Sequence, residues 1–311
     1  SFPRNGTLGE IEDESLLYEY GREVARQMKE LKVHVNFAPV ADVNTNPNNP
    51  VIGNRSFGND PKKVARQVIA YAQGLEDGGV LSVCKHFPGH GDTDLDSHLA
   101  LPTLNFGRER LDSIELYPFR ETFKAGLGGV MVAHLAVPAL EKEKGRPASL
   151  SKAIVTDLLQ HEMGFKGLVF TDALEMKGVA NHANVCLQAL KAGNDMILVP
   201  PRIKEDVDGI MKAIETGELP ADYIREKCRK VLMFKYALGL KTKPRVNLSG
   251  LEQRINSEEA KALIEKLKGA VKKKPEELGI DSKRLSAIDT IVAEAIREEA
   301  TPGCQVVVLK E

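Results

Sequence analysis

Three of the chain's seven histidines crowd into one short segment, Lys85-His86-Phe87-Pro88-Gly89-His90-Gly91-Asp92-Thr93-Asp94-Leu95-Asp96-Ser97-His98, beside three aspartates and a lysine. A merely solvated loop has no need of so many imidazoles. A calcium loop starting at Asp92 fails at its sixth position, which is Ser97 and not glycine, and at its twelfth, Thr103 and not glutamate. Two chemistries stand. His and Asp are transition-metal ligands, and His134 or Asp172 could complete such a set from another part of the chain. Alternatively His98 is an acid/base with Asp96 as its orienting carboxylate. An i, i+2 pair on an extended loop can point both side chains at one cleft, and the carboxylate fixes the imidazole tautomer and favours proton exchange near neutrality.

The elements that hold these groups read as alternating helices and short apolar strands from residue 12 to about 240. The first helix places Leu17, Tyr20, Val24, Met28 and Leu31 at helical spacing. The next opens with Asp60 as N-cap and Pro61 at the first helical position, and it turns Val64, Val68, Tyr71 and Leu75 inward. Apolar runs at 33–40, 80–84, 130–133, 168–171 and 196–199 predict parallel strands buried on both faces. Asp42, Lys85-His86, His134 and Asp172 follow four of these runs in turn. Polar groups at successive strand ends are the arrangement of a (β/α)8 barrel site. A doubly wound sheet would carry a glycine-rich phosphate loop after its first strand, and none is present. The expectation is an α/β TIM barrel; the runs number five where a closed barrel needs eight, so either two or three weak strands escape the pattern or the front of the barrel is absent.

Composition narrows the partners. A formal net charge of -1 over 311 residues gives no global attraction to nucleic acid. No apolar run reaches membrane-spanning length. Cys84, Cys186, Cys228 and Cys304 form no C-x-x-C pair, so no zinc ribbon or disulfide scaffold is expected, and three of the four are expected as buried free thiols. Tryptophan is absent, which shifts any sugar recognition toward hydrogen bonding.

Lys85 to Gly91, followed by Asp96-Ser97-His98, resembles the signature of bacterial β-N-acetylglucosaminidases in glycoside hydrolase family 3. Gly53-Asn54-Arg55-Ser56-Phe57-Gly58 is a second match, and the stretch from Gly164-Phe165-Lys166-Gly167 through Thr171-Asp172-Ala173-Leu174-Glu175-Met176 is a third. The resemblance implies a retaining exo-glycosidase without metal or organic cofactor, acting on N-acetylglucosamine-containing glycans such as muropeptides or chito-oligosaccharides. It makes Asp172 the nucleophile, His98 the acid/base and Asp96 its support, and it gives Arg55, Lys85 and His86 contacts to the sugar. On spacing alone Arg55 could be an ordinary surface arginine and Asp172 a salt-bridge partner. Ala173 departs from the family, which more often has a second Asp there. Asp42 is expected to shape the cleft, His134 to line the pocket and His90 to hold the loop.

The resemblance covers about residues 1–240. The family carries an upstream Asp-x-Glu-Gly-Gly-Arg segment that is not in this sequence, so a fragment lacking its first barrel strands is expected. A protein that binds glycan without turnover is therefore an alternative beside the metal-dependent hydrolase. Residues 241–275 read as a linker with one charged helix near 257–269. Residues 276–311 resemble the opening of a β-lactamase-like serine hydrolase domain. Ser149-x-x-Lys152 matches that class's nucleophile motif by letters only, and Ser149 or Ser151 is expected to cap the helix before the Asp172 strand.

Overall fold

In the computed structural model, residues 1–93, 101–179, 182–241 and 245–271 are described. Five short strands lie parallel: β1 (Val35–Asn36), β2 (Leu81–Ser82), β3 (Cys84–Phe87), β4 (Gly129–Val132) and β5 (Leu168–Thr171). β1 pairs with β2, β3 with β4 and β4 with β5. Bridges from Val40 to Lys85 and from Phe170 to Met196 extend the array at both ends. Each new stave is therefore laid beside the previous one in chain order, without the reversal that defines a doubly wound sheet. The sequence expectation of one strand at 80–84 becomes β2 and β3 in near continuity. Lys85 and His86 accordingly lie within β3 and not after it. At 196–199 the expected strand is reduced to the Met196 bridge.

Alternation along the staves explains why they stay together. Leu81, Val83, Met131, Leu168 and Phe170 form one buried cluster, joined by Val35, Phe37, Met196 and Leu198, so all five segments contribute to a single interior. The intervening residues Cys84, Val130, Val132 and Val169 are also fully buried, on the face toward the outer helices. Burying both faces gives each such side chain about 1.5–3 kcal/mol of transfer free energy, enough to hold strands that are only two to four residues long.

Helix Pro61–Asp77 forms as expected. Asp60 accepts from the Lys63 amide, Pro61 starts the helix, and Val64, Val68, Tyr71 and Leu75 are buried. Helix Glu14–Glu30 departs from its expected stripe. Leu17 is buried but Leu31, the C-cap just past the helix, is exposed, and the tight contact is made by small residues. A Cβ on Gly21 would stand 2.2 Å from the Tyr71 carbonyl oxygen, so the two helices approach at backbone distance. Helices Leu251–Ile255 and Glu258–Ala270 follow; Arg254 pairs with Glu30 and Lys266 with Glu19 on helix Glu14–Glu30. Residues 1–269 form one compact unit. Residues 276–311 lie outside the described residues, as do Asp96 and His98. Among the described residues no helix is long and apolar enough to cross a membrane. Cys84 and Cys186 are buried free thiols, whereas Cys228 is exposed.

Candidate active site

The polar groups meet at the C-terminal ends of the staves, and Asp42 is their hub. It follows the β1 segment and is fully buried. Its carboxylate accepts the His90 amide at 2.7 Å, the His86 amide at 3.1 and 3.2 Å, and the His86 ring Nδ1 at 2.7 Å. Burial alone would raise its pKa. The two histidines more than offset that, leaving it below the usual carboxylate range. The other ring nitrogen, His86 Nε2, lies 3.4 Å from an Arg55 guanidinium nitrogen. A guanidinium only donates, so Nε2 is the acceptor and the ring proton sits on Nδ1, facing Asp42. His86 thus presents a lone pair toward the cleft.

Arg55 is exposed but not loose. Asn5 donates to its carbonyl, and its own Nη1 donates to the Val51 carbonyl at 3.0 Å. Arg55 and Lys85 line the same cavity, of roughly 560 Å³, with Phe37, Val40, Asn49 and Ile52. Lys85 has its pKa lowered by burial and by the nearby Arg55 charge, while Asp172 and Asp42 pull it back up. Asp172 is half-buried at the end of β5, its amide bonded to the Val132 carbonyl and its Oδ1 accepting from the Ala173 amide at 2.8 Å. Asp172, Lys85, Arg55 and His86 are therefore brought together, as their types suggested.

The loop after β3 is fixed from below. A Cβ on Gly91 would lie 1.8 Å from the Val43 carbonyl oxygen, so only glycine lets the loop cross there. Asn49 donates to the His90 carbonyl at 2.8 Å and to Thr93 Oγ1 at 3.3 Å. His90 Nδ1 meets Thr93 Oγ1 at 2.8 Å, and burial holds this imidazole's pKa below the ordinary value. Arg110 bonds Asp92 and Glu115. His90 does hold the loop, chiefly through its backbone, and nothing in the sequence flagged Asn49, Thr93 or Glu115 as its supports.

One expectation changes. His134 does not line the pocket. It is 1% exposed, with Nε2 on the Ala173 carbonyl at 3.0 Å and Nδ1 on Ser149 Oγ at 2.7 Å. Of the two expected caps, Ser151 serves, its Oγ accepting from the Ile154 amide at 3.2 Å, while the Ser149 hydroxyl is taken by His134. Among the described residues no group of His, Cys, Asp and Glu is arranged to hold a metal.

Residues 1–234 match the glycosyl hydrolase family 3 N-terminal domain. The chain belongs to that family. It is 37% identical over 237 residues to a β-hexosaminidase A of Pseudoalteromonas piscicida, covering 69% of this chain and 40% of that protein. It is 40% identical over 228 residues to β-hexosaminidase LpqI of Mycobacterium tuberculosis, covering 69% of this chain and 57% of the other. A solved family 3 β-N-acetylglucosaminidase from Paenibacillus sp. superposes with a TM-score of 0.82 at 39% identity, over 87% of this chain and 52% of that one. The chain spans about half the length of these relatives.

Proposed function

We propose that this α/β domain is the catalytic part of a retaining exo-β-N-acetylglucosaminidase built on a (β/α)8 barrel, and that it removes terminal non-reducing N-acetylglucosamine. The observation that carries the reading is the meeting of Asp172 after β5, Lys85 and His86 on β3, and Arg55 on the turn Gly53–Arg55, in a chain whose relatives are named β-hexosaminidases. Asp172 attacks the anomeric carbon and forms a glycosyl-enzyme, while His98, supported by Asp96, protonates the departing glycosidic oxygen. In the second step His98 takes a proton from water, the water attacks the same carbon, and Asp172 leaves as carboxylate. Arg55 and Lys85 donate hydrogen bonds to sugar oxygens and His86 accepts one from a sugar hydroxyl at Nε2.

The substrates are muropeptides or short chito-oligosaccharides. No metal or organic cofactor enters the steps, nucleic acid is not a partner, and the chain spans no membrane. Residues 241–275 lead from the barrel toward residues 276–311, with helices Leu251–Ile255 and Glu258–Ala270 held on helix Glu14–Glu30, and residues 276–311 open a β-lactamase-like serine hydrolase domain. The test is release of nitrophenol from paired aryl substrates. Turnover of the N-acetyl-β-glucosaminide with chelator present, and little of the β-glucoside, supports the reading. Glycan binding without turnover, or activity lost to chelator, overturns it.

A further inference from the structure

His134, which follows β4, bonds the turn that carries Asp172 from the neighbouring stave while its ring stays buried. β4 and β5 run in register up to Val132 opposite Thr171, and the Asp172 amide adds one more rung by donating to the Val132 carbonyl. The chain then leaves the ladder, and Leu174 bonds the Leu198 carbonyl on the next stave. Between these two anchors lies Ala173. Its amide folds back onto Asp172 Oδ1 at 2.8 Å, and its carbonyl accepts from His134 Nε2 at 3.0 Å. Among the described residues no hydrogen bond reaches Asp172 Oδ2, which leaves that oxygen for the reacting carbon.

The proton on His134 is assigned by its partners. A carbonyl only accepts, so Nε2 donates, and Nδ1 must accept from the Ser149 hydroxyl at 2.7 Å. Ser149 is itself fully buried, and its carbonyl accepts from Asn194 at 2.8 Å. Burial keeps the imidazole's pKa below the ordinary histidine value, with the Asp172 charge opposing. A neutral ring here holds the turn without ion-pairing the carboxylate, which would blunt it as a nucleophile.

We infer that His134 is a positioning residue, which by holding the Ala173 carbonyl orients the Asp172 carboxylate so that Oδ1 is pinned and Oδ2 faces the anomeric carbon. The inference rests on the proposed role of Asp172 and adds to it a device that touches no substrate. A merely structural histidine would contribute to unfolding stability alone. A positioning one governs the first chemical step, because a displacement of about 1 Å in a reacting group can cost on the order of 100-fold.

The experiment compares His134→Met, which keeps bulk and loses the donor, with His134→Gln, whose amide reaches the same carbonyl. Labelling by a mechanism-based fluorosugar reads the first step. His134→Met is expected to label about 10- to 100-fold more slowly with KM changed less than about threefold, and His134→Gln to recover to within about threefold of the parent. A folded His134→Met protein that labels at the parent rate overturns the inference, as does a Gln variant no better than Met. Should His134→Met fail to fold, the long-range 1H–15N spectrum of the unaltered protein decides, since protonation at Nδ1 contradicts the assignment and protonation at Nε2 upholds it. Asp172→Ala run alongside separates the two claims. If it keeps turnover, the nucleophile assignment itself fails; if it abolishes turnover while His134→Met is normal, only the positioning role does.

Discussion

Replacing Asp42 by Asn tests whether a buried carboxylate dictates which face of His86 the substrate meets. The substitution is nearly isosteric at a fully buried site that satisfies three donors. The Asn oxygen can keep the His90 amide, now without charge assistance, but its NH2 then faces the His86 ring. An NH2 cannot accept, so the ring must shed its Nδ1 proton and carry it on Nε2 instead. Hydrogen bonds to a charged acceptor are worth about 1.5–3 kcal/mol against roughly 0.5–1.5 for neutral ones. Three weakened bonds therefore cost about 2–4 kcal/mol of stability. At the cleft, Nε2–H opposes Arg55 and a sugar hydroxyl that needed an acceptor, which at about 1.4–3 kcal/mol lowers kcat/KM about 10- to 100-fold. Urea unfolding, kinetics on the aryl N-acetylglucosaminide and the 15N shifts of His86 read the three effects. A folded variant with kcat/KM within about threefold of the parent, or with Nδ1 still protonated, would refute the reasoning.

The remaining predictions concern pH and the loop dyad. His90 and His134 both have folded-state pKa values held below the ordinary value of about 6.5 by burial, so the unfolded chain takes up protons first. Their contribution is complete above about 6.5 and falls as pH drops toward the depressed values, whereas the raised Glu76 and Glu115 act in the opposite sense, losing theirs as pH climbs above the usual carboxylate range. Denaturation midpoints measured from pH 7.5 to 5 should decline less steeply in His134→Met than in the parent, and equal slopes would remove His134 from the account. Asp96→Asn should slow hydrolysis on the order of 100-fold or more on natural disaccharides and much less on activated aryl leaving groups, if Asp96 tunes His98. Equal losses on both substrates would count against His98 as proton donor.

What was legible in the sequence is whatever depends on periodicity and residue type. Asp60-Pro61 and the stripe from Val64 to Leu75 specify their helix because the cap and the spacing act locally. The parallel staves follow from apolar runs that leave no room for a polar face. The grouping of Lys85, His86 and Asp172 followed from their positions directly after apolar runs, although Lys85 and His86 prove to lie within β3. Less legible were contacts set by close approach. Leu31 fits the helical stripe yet is exposed, because the helix ends at Glu30 and Leu31 is its C-cap, past the last packed turn. His134 shares the strand-end position of its neighbours, but its ring turns aside to Ser149 and Ala173. Nothing in the spacing of residues 134 and 149 announces that bond, which depends on how the chain between them returns. The Asp42 hub is similar, since two of its three donors are backbone amides that every residue type carries.

The central claim is that Asp172 becomes covalently attached to the sugar. It is tested most directly by incubating the protein with a mechanism-based N-acetylglucosamine fluorosugar, digesting it and locating the adduct by mass spectrometry. The account predicts a single modified peptide bearing the sugar on Asp172, with no adduct in Asp172→Ala. An adduct on Asp42 or Asp96, or full turnover by Asp172→Ala, would contradict it.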